Sequence, residues 1–201
     1  EPTRMNVYRG HKGRIELKVT ASGRSAHAAV HYLGDNAVYK MISIINSIRE
    51  LDRRFRFGMG SHPVLGHASV VVTDAAVRTN SLHAVPDQFT IFLDRRITLN
   101  ESHDEVIDLI KGLIPDYLRD EIKVEELYYD TPSYTGFVFP LPKYFPAWLA
   151  EEKHPLVRAG QGTIEDLWGE PRPLGTWEFS TNGTYWAGKA GIPSIGFGPG
   201  D

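Results

Sequence analysis

The chain has 201 residues, 41% of them hydrophobic and 23% charged, which is enough to bury a core and too apolar for a disordered segment. A formal net charge of -3 argues against nucleic acid as a partner, and no run approaches the roughly 18 apolar residues of a membrane span. Zero cysteines exclude disulfides, thiolate metal sites and cysteine nucleophiles, leaving any metal to His, Asp and Glu; the opening EPTRMNVYRG has no basic or apolar leader, so a soluble, cytoplasmic protein is expected.

Ile15, Leu17 and Val19 alternate with Glu16, Lys18 and Thr20, the period-two signature of a strand with one buried face. A loop around Gly23 follows. With Asp35 as N-cap, Ala37, Val38, Met41, Ile44, Ile45, Ile48 and Leu51 form one helical stripe, predicting a helix to about Phe55. Ala68 to Val72 reads as a buried strand, and Phe89, Ile91 and Leu93 alternate as its antiparallel neighbour. Ser102 and Glu105 make a capping box before the stripe Val106, Ile107, Leu109, Ile110, Leu113 and Ile114, which Pro115 ends. Ile122, Val124 and Leu127 to Tyr129 supply a last strand. The order β-α-β-β-α-β over roughly residues 12 to 130 predicts a ferredoxin-like unit of α+β class, with both helices on one sheet face.

Past Asp130 the texture becomes rich in proline and aromatic residues, with four prolines and six aromatics in TPSYTGFVFPLPKYFPAW, and the domain crossover is placed there. A helix is predicted from His154-Pro155 to Gly169, then a short helix through Tyr185 and Trp186 and a strand at Ser194 to Phe197. The last third has too few elements to close a core, so it is expected to pack on something further or to borrow from the first unit. The organisation predicts a piece of a longer protein.

Eight histidines stand at 11, 27, 31, 62, 67, 83, 103 and 154, and none forms an i, i+4 pair on a helix, so no stand-alone zinc site is read from spacing. The adjacent acids Glu125-Glu126 and Glu151-Glu152 read as surface charge, and Arg96 as the partner of Asp94 or of another acid at the strand end. No GxSxG, Walker loop or HExxH occurs. From the residues alone the reading stops at an α/β protein with a ferredoxin-like unit and an incomplete second domain.

Six blocks carry a resemblance in order along nearly the whole chain: Glu1-Pro2-Thr3, Tyr8 to Gly13, Gly23-Arg24-Ser25-Ala26-His27, Gly34-Asp35-Asn36-Ala37, Asp94-Arg95-Arg96, and Gly191-Ile192-Pro193 to Gly200. Together they resemble the metallopeptidase clan of acetylornithine deacetylase, succinyl-diaminopimelate desuccinylase, aminoacylase and glutamate carboxypeptidase, and Phe179-Ser180-Thr181-Asn182-Gly183 looks like its YgeY-like branch. The resemblance implies a lid, or dimerisation, domain at 12–130 inserted between catalytic-domain segments, here 1–11 and an incomplete 131–201. It implies a hydrolase that cleaves an amide of an N-acyl amino acid or small peptide with two zinc ions per subunit, cobalt or manganese being possible substitutes. It also implies a homodimer through the lid domain.

By position in that family Glu1 matches a metal-ligating carboxylate, a frayed terminal residue being the other reading, and His27 matches the lid histidine that stabilises an oxyanion from the partner subunit. Where relatives carry Asn three residues before a Pro, His83 stands here, with Asn80 three residues earlier, so Asn80 and His83 are both candidates for substrate contact. Asn182 and Gly183 fall on a substrate-facing turn or on a buried structural one. The family's remaining metal ligands and its general base match no residue of this sequence, so the chain alone is expected neither to hold two zinc ions nor to hydrolyse amides. The competing function is a non-catalytic dimerisation module; RNA binding ranks below it, because the strand Arg14 to Thr20 has no aromatic residue.

Overall fold

The computed structural model describes residues 1–200. Its elements in chain order are strands β1 (Tyr8–His11) and β2 (Gly13–Ser22), helix α1 (Ala37–Arg56), strands β3 (Ser69–Arg78) and β4 (Gln88–Ile97), helix α2 (His103–Lys111) and strand β5 (Ile122–Glu126). Then come the two-residue strands β6 (Tyr128–Tyr129), β7 (Leu141–Pro142), β8 (Tyr144–Phe145) and β9 (Trp148–Leu149), helix α3 (Pro155–Trp168) and strand β10 (Gly175–Trp177).

The order β3-β4-β2-β5, antiparallel at every step, is the ferredoxin-like arrangement expected from the sequence, with β8 added on β2 below β5. The alternation in β2 does its work here. Ile15, Leu17, Val19 and Ala21 are fully buried, and they meet Ile91 and Leu93 of β4 and the α1 stripe of Met41, Ile44, Ile48 and Leu51. Each such side chain contributes about 1.5–3 kcal/mol by leaving water, and a one-residue register slip would turn the set outward.

Both helix starts are capped. The capping box at Ser102 and Glu105 forms as predicted. The predicted cap at Asp35 moves by one residue: Asn36 accepts from the Val38 N–H at 2.9 Å, whereas Asp35 is held by Lys40 and by backbone bonds to Arg24.

The second sheet has the order β10-β1-β9, so β1, from the start of the chain, lies between two strands of its last third. It pairs parallel with β10 and antiparallel with β9, and Val7, Val157, Ile164, Trp148 and Trp177 are buried around it. The last third thus borrows a strand, though from residues 1–11 and not, as one of the two expectations had it, from the ferredoxin-like unit. His154 caps α3, Pro155 opens it and Gly169, at φ 76°, closes it. The strand predicted at Ser194 to Phe197 is not an extended pair: it makes one bridge, Gly196 to Tyr8, because Gly191 and the prolines on either side interrupt the ladder. The short helix predicted at Tyr185 is a π-helical turn, Thr184–Lys189.

Candidate functional site

The candidate residues gather at two places. At one end of the ferredoxin-like sheet, a 3-10 turn over Ala28–Leu33, unforeseen in the sequence, follows His27 and packs beside the β3–β4 connection. Ala28 N–H donates to the His83 carbonyl at 2.8 Å, Val85 N–H to the Ala26 carbonyl at 2.8 Å, and His27 bridges Ala84. Asn80, His83 and His27 are therefore on loops stitched to one another, and all three side chains are exposed. His27 caps its own turn, its Nδ1 accepting the Ala29 N–H at 3.1 Å. In the neutral imidazole this leaves the proton on Nε2, as an outward-facing N–H donor. Such a group can stabilise a developing oxyanion brought to it.

The second place is an open pocket of about 270 Å³ beside the three-stranded sheet, lined by Glu1, Trp177, Thr181, Asn182, Gly183 and Phe197 among others. Its walls join distant parts of the sequence. Thr3 Oγ1 donates to the Gly198 carbonyl at 3.1 Å, Thr3 and Arg4 N–H groups donate to the Pro199 carbonyl, and Trp177 Nε1 donates to the Pro2 carbonyl at 3.1 Å. The Glu1-Pro2-Thr3 and Gly196 to Gly200 blocks, which sequence reading could treat only as separate signatures, lie side by side.

Gly183 packs against an indole. A methyl at its Cα would stand 2.6 Å from Trp148 Nε1, and Thr184 beneath it is buried with its hydroxyl on the Pro146 carbonyl. Asn182, by contrast, is exposed in the pocket. The turn thus divides, Gly183 serving structure and Asn182 facing the opening.

Behind the turn sits His11, which sequence reading did not single out. It is fully buried, its Nδ1 lies 2.8 Å from the Lys12 carbonyl, and its ring meets Trp148 edge-on at 5.6 Å. Burial pushes its pKa below the usual histidine value and so favours the neutral ring. The signal that could have found it is its position between two strands, which no local pattern marks.

Other charged groups are spoken for. Arg96 forms a two-point pair with Asp94, one of the acids expected for it, at 2.7 and 2.9 Å. Arg95 is wholly buried over the Phe55 ring at 4.1 Å and bonds Glu101. The reading of Glu125-Glu126 as surface charge needs correction for Glu126. Its side chain is only 12% exposed and lies 3.2 Å from His103 Nε2, because α2 runs along β5 and covers that face.

Among the described residues no three His, Asp or Glu side chains converge as metal ligands, and Glu1 is the only carboxylate lining the pocket. The described residues therefore do not by themselves assemble a two-metal centre.

Compared with known families, residues 9–121 match the peptidase dimerisation domain of the M20 peptidases. The chain belongs to this family. It is 38% identical to YgeY of Escherichia coli K12 over 200 residues, covering 100% of this chain and 48% of that protein. It is also 40% identical over 50 residues, 25% of the chain, to a probable succinyl-diaminopimelate desuccinylase of Staphylococcus aureus. The chain spans about half the length of YgeY, and the YgeY-like resemblance read from Phe179 to Gly183 agrees with that match. Among solved structures, aminopeptidase PepT of Bacillus cereus superposes with a TM-score of 0.70 at 15% identity, covering 98% of this chain and 46% of that one. A metallo-carboxypeptidase of Sulfolobus solfataricus gives 0.65 at 13% identity, covering 96% and 52%. At such identities the likeness concerns the fold. No helix among the described residues is long and apolar enough to cross a membrane.

Proposed function

We propose that this chain is the dimerising portion of a cytoplasmic, metal-dependent amidohydrolase that cleaves an amide bond of an N-acyl amino acid or small peptide, and that it works as a homodimer through residues 12–130. Residues 1–11 and 131–201 are then parts of a catalytic domain completed by sequence outside this chain. Glu1 supplies one carboxylate to a two-zinc centre, which cobalt or manganese could also fill; when bound, the metal supplies Lewis-acid activation. Asn182 faces the substrate from the pocket, and Asn80 and His83 contact it from the lid loop, with Gly183 shaping the turn. Membership of the M20 peptidases and a relative named as a probable desuccinylase support the class of reaction.

One observation carries the reading: the two clusters stand at opposite ends of β2. The Thr181–Gly183 turn is anchored beside Lys12, through Ser180 Oγ on the Lys12 carbonyl, whereas His27 lies beyond Ser22. The ten-residue strand between them separates the clusters by roughly 30 Å at about 3.3 Å per residue. That separation puts His27 out of reach of its own chain's pocket in this arrangement, which supports a pocket in a second subunit as its target. The surface for pairing is present. Beyond Val72, β3 is an exposed edge carrying Val77, and α1 exposes Tyr39 and Ile42 alongside it.

Mixing subunits tests this. In the protein extended to the length of its relatives, His27→Ala and Glu1→Ala are each expected to abolish hydrolysis, and a 1:1 mixture to recover about a quarter of it, since half the dimers keep one intact site of two. Recovery of nothing from the mixture would mean that His27 acts within its own subunit. An extended protein that binds no metal would favour the non-catalytic dimerisation module.

A further inference from the structure

The ferredoxin-like sheet has a second open edge, β5, which the pairing proposed above does not use. Ser22 N–H donates to the Glu121 carbonyl and Leu127 N–H to the Glu16 carbonyl, and an antiparallel ladder bonds every second residue. Glu121, Lys123, Glu125 and Leu127 therefore turn their peptide groups to β2, and Ile122, Val124 and Glu126 turn theirs outward, away from the sheet.

Alongside that edge runs α2, and between the two lies a groove of about 530 Å³. Ile114, Ile122 and Val124 form its apolar floor, and Gly112 leaves its wall low. Lys111, Arg119 and Lys123 line it as cations against a single acid, Asp108. Among the described residues Lys111 has no ion pair, whereas Arg119 and Lys123 hold Asp116 and Glu125 at 2.7 and 2.6 Å in exposed pairs. Exposed pairs of this kind are worth little and yield readily to a new partner.

We infer that this groove docks an extended acidic peptide segment of another protein, which adds a strand to β5. A strand edge beside a helix supplies main-chain hydrogen bonds; side chains on the groove face of the added strand meet the apolar floor and, at its rim, Lys111 and Arg119, while those on the opposite face pass Lys123, so acidic residues on either face find a cation. Five strand residues, about 16 Å, suit a short peptide better than a sheet-to-sheet dimer, for which β3 with ten residues offers the longer edge.

The probe is a fluorescein-capped, amidated eight-residue peptide of alternating glutamate and valine, titrated into the 201-residue chain by anisotropy, with a lysine–valine peptide as control. Backbone amide spectra of the chain locate the contact. Expected are binding of the acidic peptide alone and amide shifts centred on Val124, Glu126 and Lys111. The double variant Lys111→Glu, Lys123→Glu changes two exposed side chains and leaves the core intact. It should weaken binding by about tenfold or more and gain affinity for the lysine peptide. The inference is overturned by equal binding of both peptides, by no binding, or by shifts confined to β3. It is equally overturned if the chain self-associates and the charge-reversed variant does not, since the groove would then hold a second copy.

Discussion

Replacing Gly183 by alanine separates the structural from the substrate-facing part of the Asn182–Gly183 turn. Gly183 has φ -55° and ψ -21°, a right-handed helical conformation open to any residue. Backbone preference alone would make Gly183→Ala stabilising by about 0.4–1 kcal/mol, through the lost freedom of the unfolded chain. The added methyl, however, would lie 2.6 Å from Trp148 Nε1 and 2.8 Å from Cε2 and Cζ2. That indole is 5% exposed and held edge-on by His11, so it has nowhere to swing. Forcing a methyl group into such packing costs about 1–3 kcal/mol. The net is a loss of roughly 1.5 kcal/mol, or a melting temperature lower by about 3–6 °C for a chain of this size. Thermal unfolding followed by tryptophan fluorescence measures both the shift and the changed environment of Trp148. Asn182→Ala, at an exposed side chain, should stay within about 0.5 kcal/mol of the parent chain. A Gly183→Ala protein as stable as its parent, with unaltered fluorescence, would refute the packing argument and return Gly183 to a purely substrate-facing role.

Glu101→Ala should destabilise by about 3 kcal/mol in denaturant titration, because it leaves the buried Arg95 guanidinium without its carboxylate; Arg95→Met combined with it should recover much of the loss. His103 loses solvation on partial burial, but its bonds to Asp104 and Glu126 outweigh this and raise its pKa above 6.5. With the folded value raised, its stabilisation is complete below pH 6.5 and is lost as pH rises through the folded pKa; His103→Asn should flatten that slope in stability measured from pH 6 to 8.5. His11 has the opposite sign. Its burial-lowered pKa makes stability fall as pH drops below 6.5, and imidazole proton titration by NMR should find it neutral at pH values where His103 is charged. Changing exposed Val77 and Ile42 together to glutamate should shift the assembled protein to monomer in sedimentation velocity while leaving its helical circular dichroism intact, as both side chains lie outside the core.

What the sequence determined by itself is the local order. The alternation Ile15, Leu17, Val19, the stripe from Ala37 to Leu51, the capping box at Ser102 and Glu105, and the His154-Pro155 start and Gly169 stop of α3 each draw on neighbours within a few residues, so each could be read along the chain. The choice of Asn36 over Asp35 as cap could not, because Lys40 and Glu121, brought in by folding, draw Asp35 into a separate ion-pair group. Nor could β6 to β9, whose two residues are too short to show a period. Tertiary structure alone decided that residues near 10 and 176 form one parallel pair, that Glu1 and Asn182 share a pocket, that His11 is buried behind them, and that His27 lies a full strand length away. Sequence patterns record which face of a local element is buried; which elements then meet depends on non-local packing, where small residues such as Gly183 and Gly196 allow large rings to approach the backbone.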